Sequence, residues 1–153
     1  MRFDLILFIS KSMAFVLKKG KALLEHWPKK TSTTLTAGSL AQFDGSGFIT
    51  ICTAAPTRVA GVLTKSVAST DSDYATATVI PLIYPGPDCE FEADVTGTLT
   101  TAMLGVRYAP TSVGSQVDVA NTTTPVLTCM SFISATKGMF KVSAAYLYTD
   151  AAT

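Results

Sequence analysis

Two stretches of the chain alternate apolar and polar residues with a period of two. The first stretch carries apolar side chains on one face and acidic ones on the other: Cys89, Phe91, Ala93 and Val95 against Glu90, Glu92 and Asp94. The second stretch places apolar residues at Phe140, Val142, Ala144, Tyr146 and Tyr148. A period of two predicts β-strands that have one buried and one solvated face.

Residues 48–53 and 126–133 are instead apolar on both faces, which predicts central strands buried on both sides. Turn residues at 44–47, 85–88 and 137–138 separate the strands. The regular spacing of short strands and turns predicts an all-β fold, a small β-barrel or sandwich, over residues 34–153. It leaves open whether this domain is one unit or two fused small β layers that divide near residue 97.

The first 33 residues lack this pattern and are predicted to form an extended N-terminal arm. At most one short helix is expected there, over residues 22–27, because Pro28 would end it after one or two turns.

Charge separates the arm from the rest of the chain. Charged residues make up only 15% of the sequence, and Thr, with 23 copies, is the commonest residue. Residues 1–30 carry a net charge of +5, whereas residues 31–153 carry −4. A charge-poor, Thr-rich surface is typical of a protein that other subunits largely cover, and the basic segment is expected to meet an acidic surface.

The arm therefore supplies the predicted contact residues for a partner surface or a neighbouring subunit. Its apolar anchors are Phe3, Leu5, Leu7, Phe15, Leu17, Leu24 and Trp27. Its basic contacts are Lys18, Lys19, Lys21, Lys29 and Lys30. Deletion of residues 1–30 is expected to leave the β domain folded and to weaken binding to the partner.

The sequence has few of the residue types that catalysis or cofactor binding needs. The chain has one histidine, His26, and three dispersed cysteines, so neither a His-dependent nucleophile nor a zinc site is expected. The cysteines are predicted to be three buried thiols, with one disulfide and one free thiol as the open alternative. The apolar run 5–9 is too short for a secretory or membrane-spanning segment. We expect no enzymatic activity and no cofactor, and neither nucleic acid nor a membrane as partner.

Two groups of motifs resemble a known family. The sequence 39–45, SLAQFDG, followed by 59–63, VAGVL, is similar to the core of the small head-decoration (cement) proteins of tailed phages, the lambda type among them. The later motifs, 104–108, 117–119 and 132–134, resemble the β-barrels of related capsid-accessory proteins.

This resemblance implies a structural virion protein that is assembled in the host cytoplasm and sits on the outer surface of the capsid. The implied partners are the major capsid protein, whose subunit contacts it would stabilise, and further copies of the chain, most often as a homotrimer. The alternative is another virion surface module: a tail, fibre or glycan-binding β-sandwich.

Overall fold

The computed structural model describes residues 14–147, and their regular structure is almost entirely β. Two 3-10 turns are present, Thr101–Met103 and Ala144–Tyr146. The strands are β1 Val16–Lys19, β2 Leu23–Pro28, β3 Leu40–Phe43, β4 Ile49–Ile51, β5 Val59–Leu63, β6 Val79–Tyr84, β7 Glu90–Thr96, β8 Arg107–Pro110, β9 Val117–Asp118, β10 Leu127–Ser134 and β11 Lys137–Val142. The predicted all-β class is confirmed.

Five strands close into a small barrel in the order β7-β11-β10-β8-β9. All neighbours in this ring are antiparallel except β7 and β9, which pair in parallel through Val95 and Val117. Because β9 pairs only with Val95 and Thr96, the first half of that edge of β7 is left for β1, which pairs with it antiparallel. β1 is therefore an additional edge strand of the barrel sheet.

The other five strands form a second, antiparallel sheet in the order β2-β6-β5-β3-β4. The two outer strands of this sheet approach each other beyond the end of β2. There the backbone N–H of Lys30 donates a hydrogen bond of 3.0 Å to the carbonyl oxygen of Ile49 on β4.

The barrel and the second sheet are packed through β5, whose five residues are all buried. Val59 and Val62 join the core of the barrel, which includes Phe91, while Ala60 and Leu63 join the core of the second sheet. Successive side chains of a strand point to opposite faces, and the register with β3 shifts between Val59 and Gly61, so residues three apart share a core and one strand serves both cores. This explains why residues 59–63 contain no charged side chain.

The alternation predicted for residues 89–95 is confirmed. Phe91, Ala93 and Val95 are buried in β7, and the acidic residues between them are half-buried. The second predicted alternation is only partly correct, because β11 ends at Val142 and is followed by the 3-10 turn. Tyr148 lies outside the described residues.

The one short helix that the sequence allowed over residues 22–27 does not form, because this segment forms β2. Every residue of β2 pairs with β6, from Leu23 opposite Tyr84 to Pro28 opposite Val79. Local sequence favours a helical turn only weakly, and the ladder of hydrogen bonds to β6 overrides it.

Residues 14–33 of the predicted arm are part of the β structure, since β1 belongs to the barrel sheet and β2 to the second sheet. The chain changes sheet again between Tyr84 and Glu90, rather than near residue 97. Residue 97 lies directly after β7, within the barrel.

Candidate interaction surface

The structure distributes the predicted contact residues over three environments: the core, the surface and the undescribed N-terminus. Phe3, Leu5 and Leu7 lie outside the described residues. Phe15 is only 3% exposed and belongs to the barrel core, against which the half-buried Leu17 also packs. The N–H of Phe15 donates a 2.7 Å hydrogen bond to the carbonyl oxygen of Gly38. Phe15 thus stabilises its own chain, contrary to the expectation that it contacts a partner.

Lys29 is also inside the protein, contrary to the expectation of a surface contact. Its side chain is fully buried, and its Nζ donates hydrogen bonds to the carbonyl oxygens of Tyr74, at 2.7 Å, and of Lys30, at 3.2 Å. The ammonium group also lies 5.9 Å from the centroid of the Tyr74 ring, within the range of a cation–π contact. A buried ammonium needs such partners, and these come from the chain itself.

Trp27 lies on β2 and packs edge-to-face against Phe43, with 4.9 Å between ring centroids and an interplanar angle of 88°. Both rings line a shallow pocket of about 240 Å³ together with Gly45, Gly47 and Arg58. Trp27 is half-buried, because it also packs against the core of the second sheet.

The remaining predicted contacts are exposed, and most lie where β1 turns into β2. We call residues 16–24 the β1–β2 corner. Its exposed basic residues are Lys18, Lys19 and Lys21, and its exposed apolar residues are Val16, Leu23 and Leu24. The three apolar side chains are 45%, 51% and 58% exposed, respectively. The corner therefore combines the basic and apolar chemistry that the sequence predicts for a contact surface.

The backbone of this corner is fixed by the 84–89 loop. A Cβ added at Gly20, whose φ is +92°, would lie 2.5 Å from the carbonyl oxygen of Asp88. The thiol of Cys89 lies 3.5 Å from the carbonyl oxygen of Lys21. Glycine at position 20 is thus required both by the close approach and by the backbone conformation.

Carboxylates of the same chain neutralise part of the basic surface. Lys19 lies 3.6 Å from Glu90, and the exposed Lys30 lies 4.0 Å from Asp44. Among the described carboxylates none forms an ion pair with Lys18 or Lys21. Those two lysines therefore carry the charge that the corner can offer a partner.

Because residues 1–30 contain β1 and β2, their deletion would remove two strands from the sheets. The pairing of β1 and β2 therefore argues against the expectation that the β domain stays folded without them. Binding at the corner has to be tested by point substitutions.

Sequence reasoning missed a second surface, at one end of the barrel. We call the exposed apolar side chains there the barrel-end patch: Leu104, Val106, Met130, Phe132 and Ile133. The loop before β8 is held against β10 by two backbone hydrogen bonds, from Gly105 N–H to the Cys129 carbonyl oxygen at 2.8 Å and from Cys129 N–H to the Val106 carbonyl oxygen at 2.9 Å. The patch therefore joins two segments far apart in sequence.

The prediction that residues 126–133 form a strand buried on both faces is wrong for its second half. β8 pairs with β10 only at Leu127 and Thr128, and the register with β11 shifts after Cys129. From Met130 onward all residues of β10 are exposed. The stretch predicted as the other central strand, 48–53, likewise forms the short outer strand β4.

The titratable groups of residues 14–147 lie at scattered places in the fold. His26 is exposed on β2, and no group of three or more His, Cys, Asp or Glu side chains is placed to hold a metal ion. Glu92 and Asp94 both lie next to Lys137, at 3.3 and 3.8 Å. Cys52, Cys89 and Cys129 are free and buried, which confirms the prediction of three buried thiols.

None of the helices in the described part of the chain is long and apolar enough to cross a membrane. No protein-family model matches the chain, and no curated protein matches it significantly. The surface itself thus supplies the argument for function.

Proposed function

We propose that this protein is a structural virion protein that binds the outer surface of a tailed-phage capsid and stabilises contacts between major capsid protein subunits. The observation that carries the proposal is the β1–β2 corner. Three large apolar side chains, each 45–58% exposed, lie there in the same segment as Lys18 and Lys21, which form no ion pair with a described carboxylate. Such a surface favours a partner that offers both acidic groups and an apolar contact.

The rigidity of the corner supports an adhesive role. Gly20 is packed on the Asp88 carbonyl, and β1 and β2 are each paired along their length with β7 and β6. A preformed surface loses little conformational entropy on binding. Little of the favourable energy of its weak contacts is therefore offset. Many copies on one shell would add such contacts through multivalency.

The residues that carry the family resemblance are consistent with this proposal. The motif at 39–45 contains β3, the motif at 59–63 is β5, and the two strands pair directly, with Leu40 opposite Val62. The glycine of the second motif, Gly61, leaves room for the Ile83 carbonyl oxygen, which would lie 2.5 Å from an added Cβ. The motifs thus mark the strands that join the two cores.

Co-sedimentation tests the proposal directly. Full-length protein is mixed with expanded, undecorated capsids assembled from the major capsid protein of the same genome, and the bound fraction is measured at increasing salt. We expect saturable binding that weakens with salt, because Lys18 and Lys21 contribute. The double variant Lys18→Gln/Lys21→Gln should bind at least several-fold more weakly, and Leu24→Ser should weaken binding further.

The matched control is Lys65→Gln/Arg107→Gln, which removes two exposed charges outside the corner and outside the Trp27 pocket. It should bind like the wild type. Failure of the wild-type protein to sediment with capsids would overturn the proposal. If both double variants lost capsid binding equally, the corner would not be the binding surface.

A second candidate function is glycan binding at a virion surface, which the Trp27 pocket favours. Trp27, Phe43 and Arg58 offer aromatic faces and a charged donor in one shallow depression. Trp27 is the single tryptophan of the chain. A change in tryptophan fluorescence on titration with oligosaccharides, lost in Arg58→Ala, would favour this function over capsid binding.

A further inference from the structure

We propose that a shallow depression on the outer face of the barrel binds a phosphoryl group that is carried on a small organic molecule. Arg107 and Lys141 line this depression of about 360 Å³, together with Thr128 and Ser143. The first three lie on β8, β11 and β10, which are neighbours in the barrel, and Ser143 directly follows β11. Segments far apart in sequence thus bring two cations and two hydroxyl groups to one place.

The register of the strands places three of these side chains in one row. Thr128 lies opposite Arg107 on β8 and opposite Lys141 on β11. The residues on both sides of Thr128, Leu127 and Cys129, belong to the barrel core, so Thr128 points to the outer face. Because directly opposite residues of paired strands share a face of the sheet, Arg107 and Lys141 flank Thr128 there.

The two cations have no anionic partner among the described residues. Within residues 14–147, neither Arg107 nor Lys141 forms an ion pair. On β7 the register brings Glu90 nearest to Lys141, but Glu90 pairs with Lys19, at 3.6 Å. Arg107 and Lys141 are two strand spacings apart, about 10 Å, so an anion between them interacts favourably with both.

The donors in this depression suit a tetrahedral oxyanion. The guanidinium of Arg107 offers a planar fork of N–H donors that matches phosphate oxygens, and the ammonium of Lys141 adds a point charge. The hydroxyl oxygens of Thr128 and Ser143 lie 3.4 Å apart, so both can donate a hydrogen bond to one ligand group. A carboxylate has two oxygens and one charge for these four groups, whereas a phosphoryl group offers three acceptor oxygens and close to two charges.

Apolar side chains in the same depression indicate that the phosphoryl group is part of an organic molecule. Met130 and Ala144 also line the depression, and both are exposed. The flexible thioether of Met130 can adapt to an aromatic or aliphatic group. Since inorganic phosphate would make no use of these apolar contacts, an organic phosphate should bind more tightly.

Backbone hydrogen bonds fix the site before any ligand binds. The N–H of Ser143 donates a 2.8 Å hydrogen bond to the Val126 carbonyl oxygen, and the N–H of Cys129 donates one of 2.9 Å to the Val106 carbonyl oxygen. These bonds hold Ser143 against β10 and keep the segment before Arg107 on the same strand. Little ordering of the backbone therefore opposes binding.

An NMR titration of the full-length protein tests this inference. Sodium phenyl phosphate, inorganic phosphate and sodium acetate are added in separate titrations at mildly alkaline pH, and sodium chloride keeps the ionic strength constant. We expect saturable shifts of the amide signals of Thr128, Lys141 and Ser143, with the tightest binding for phenyl phosphate and the weakest for acetate. Equal affinities for the two phosphates would overturn the organic part of the inference and leave a site for free phosphate.

Arg107→Gln/Lys141→Gln should weaken the binding of phenyl phosphate at least tenfold, and Thr128→Val should weaken it several-fold, while circular dichroism stays unchanged. The matched control is Lys30→Gln/Lys65→Gln, which removes two exposed charges next to strands of the second sheet. This control should retain the wild-type affinity for phenyl phosphate. If the double variant of the site does not fold, Arg107→Gln alone takes its place, because Arg107 is exposed.

Three results would overturn the inference: no saturable shifts with either phosphate, an affinity for acetate equal to that for phenyl phosphate, or site variants that bind as well as the control. The depression lies outside the β1–β2 corner, so Arg107→Gln should leave capsid binding unchanged. The inference thus goes beyond the proposed function, and each can fail while the other stands.

Discussion

The Nζ atom of Lys29 lies 2.7 Å from the main-chain carbonyl oxygen of Tyr74, and this hydrogen bond joins β2 to the loop between β5 and β6. The same carbonyl oxygen also accepts a 2.8 Å hydrogen bond from the N–H of Ser32. A lysine of the basic N-terminal segment thus stabilises the second sheet from within through its hydrogen bonds.

Lys29→Met should lower the free energy of unfolding. The substitution removes the charged donor that the carbonyl oxygens of Tyr74 and Lys30 share, at a cost of about 1–3 kcal/mol. Denaturant unfolding measures the change, and increased proteolysis within residues 68–78 should accompany it. Lys18→Met, on the exposed surface, is the control and should leave the midpoint nearly unchanged. Equal stability of Lys29→Met and wild type would contradict the claim that the Lys29 hydrogen bonds stabilise the fold.

Gly20→Ala should destabilise the protein more than Gly45→Ala. Both glycines have nearly the same backbone conformation, with φ of +92° and +87°. The cost of placing alanine in this conformation, about 1–2 kcal/mol, is therefore shared. Only position 20 meets a neighbouring backbone atom, the Asp88 carbonyl oxygen, while nothing lies within 4 Å of position 45.

The clash should add about 1–3 kcal/mol to the cost at position 20. Thermal unfolding of the two variants measures this difference. Since the clash displaces the β1–β2 corner, Gly20→Ala should also bind capsids more weakly than Gly45→Ala. Equal melting temperatures for both variants would show that the corner has room to move.

Asp44 should make stability depend on pH in the acidic range. Its carboxylate accepts backbone hydrogen bonds from Ser46, at 2.8 Å, and Phe48, at 3.2 Å. The hydrogen bond from Ser46 is the main cause that lowers the pKa of Asp44 below its usual 3.8, and Lys30 contributes. Because the folded-state pKa is the lower one, the stabilisation is complete above 3.8 and is lost as the pH falls through the folded-state value.

Asp44→Asn should accordingly be less stable than the wild type at neutral pH. The difference between the two should shrink well below pH 3.8, where the wild-type carboxyl is protonated. Thermal melts across this range measure it. A difference that stays constant down to the lowest pH would mean that the charge of Asp44 does not stabilise the turn.

The three thiols should be unreactive in the folded protein. Cys52 and Cys129 are fully buried and Cys89 is 1% exposed, and burial is the main cause that raises the pKa of each thiol. Because the thiolate is the reactive form, a thiol reagent should label none of them at mildly alkaline pH. All three should react after unfolding in guanidinium chloride. Rapid labelling of one thiol in native protein would indicate a local opening of the core.

The sequence by itself determined the class of the fold. The alternation over 89–95 gave the buried and solvated faces of β7 correctly, because a half-buried strand imposes a period of two on its own residues. The sequence also predicted the exposed lysines and Leu24 of the β1–β2 corner as contact residues, and the structure places these side chains at the surface.

Only the tertiary structure decided which apolar residues are buried and where each charge lies. Met130, Phe132 and Ile133 look like core residues in sequence, but they are exposed because β8 pairs with only the first part of β10. Lys29 looks like a surface residue, but it is buried because carbonyl oxygens from a distant loop surround its ammonium group. Burial depends on partners far away along the chain, and a local pattern of apolar and polar residues contains no information about them.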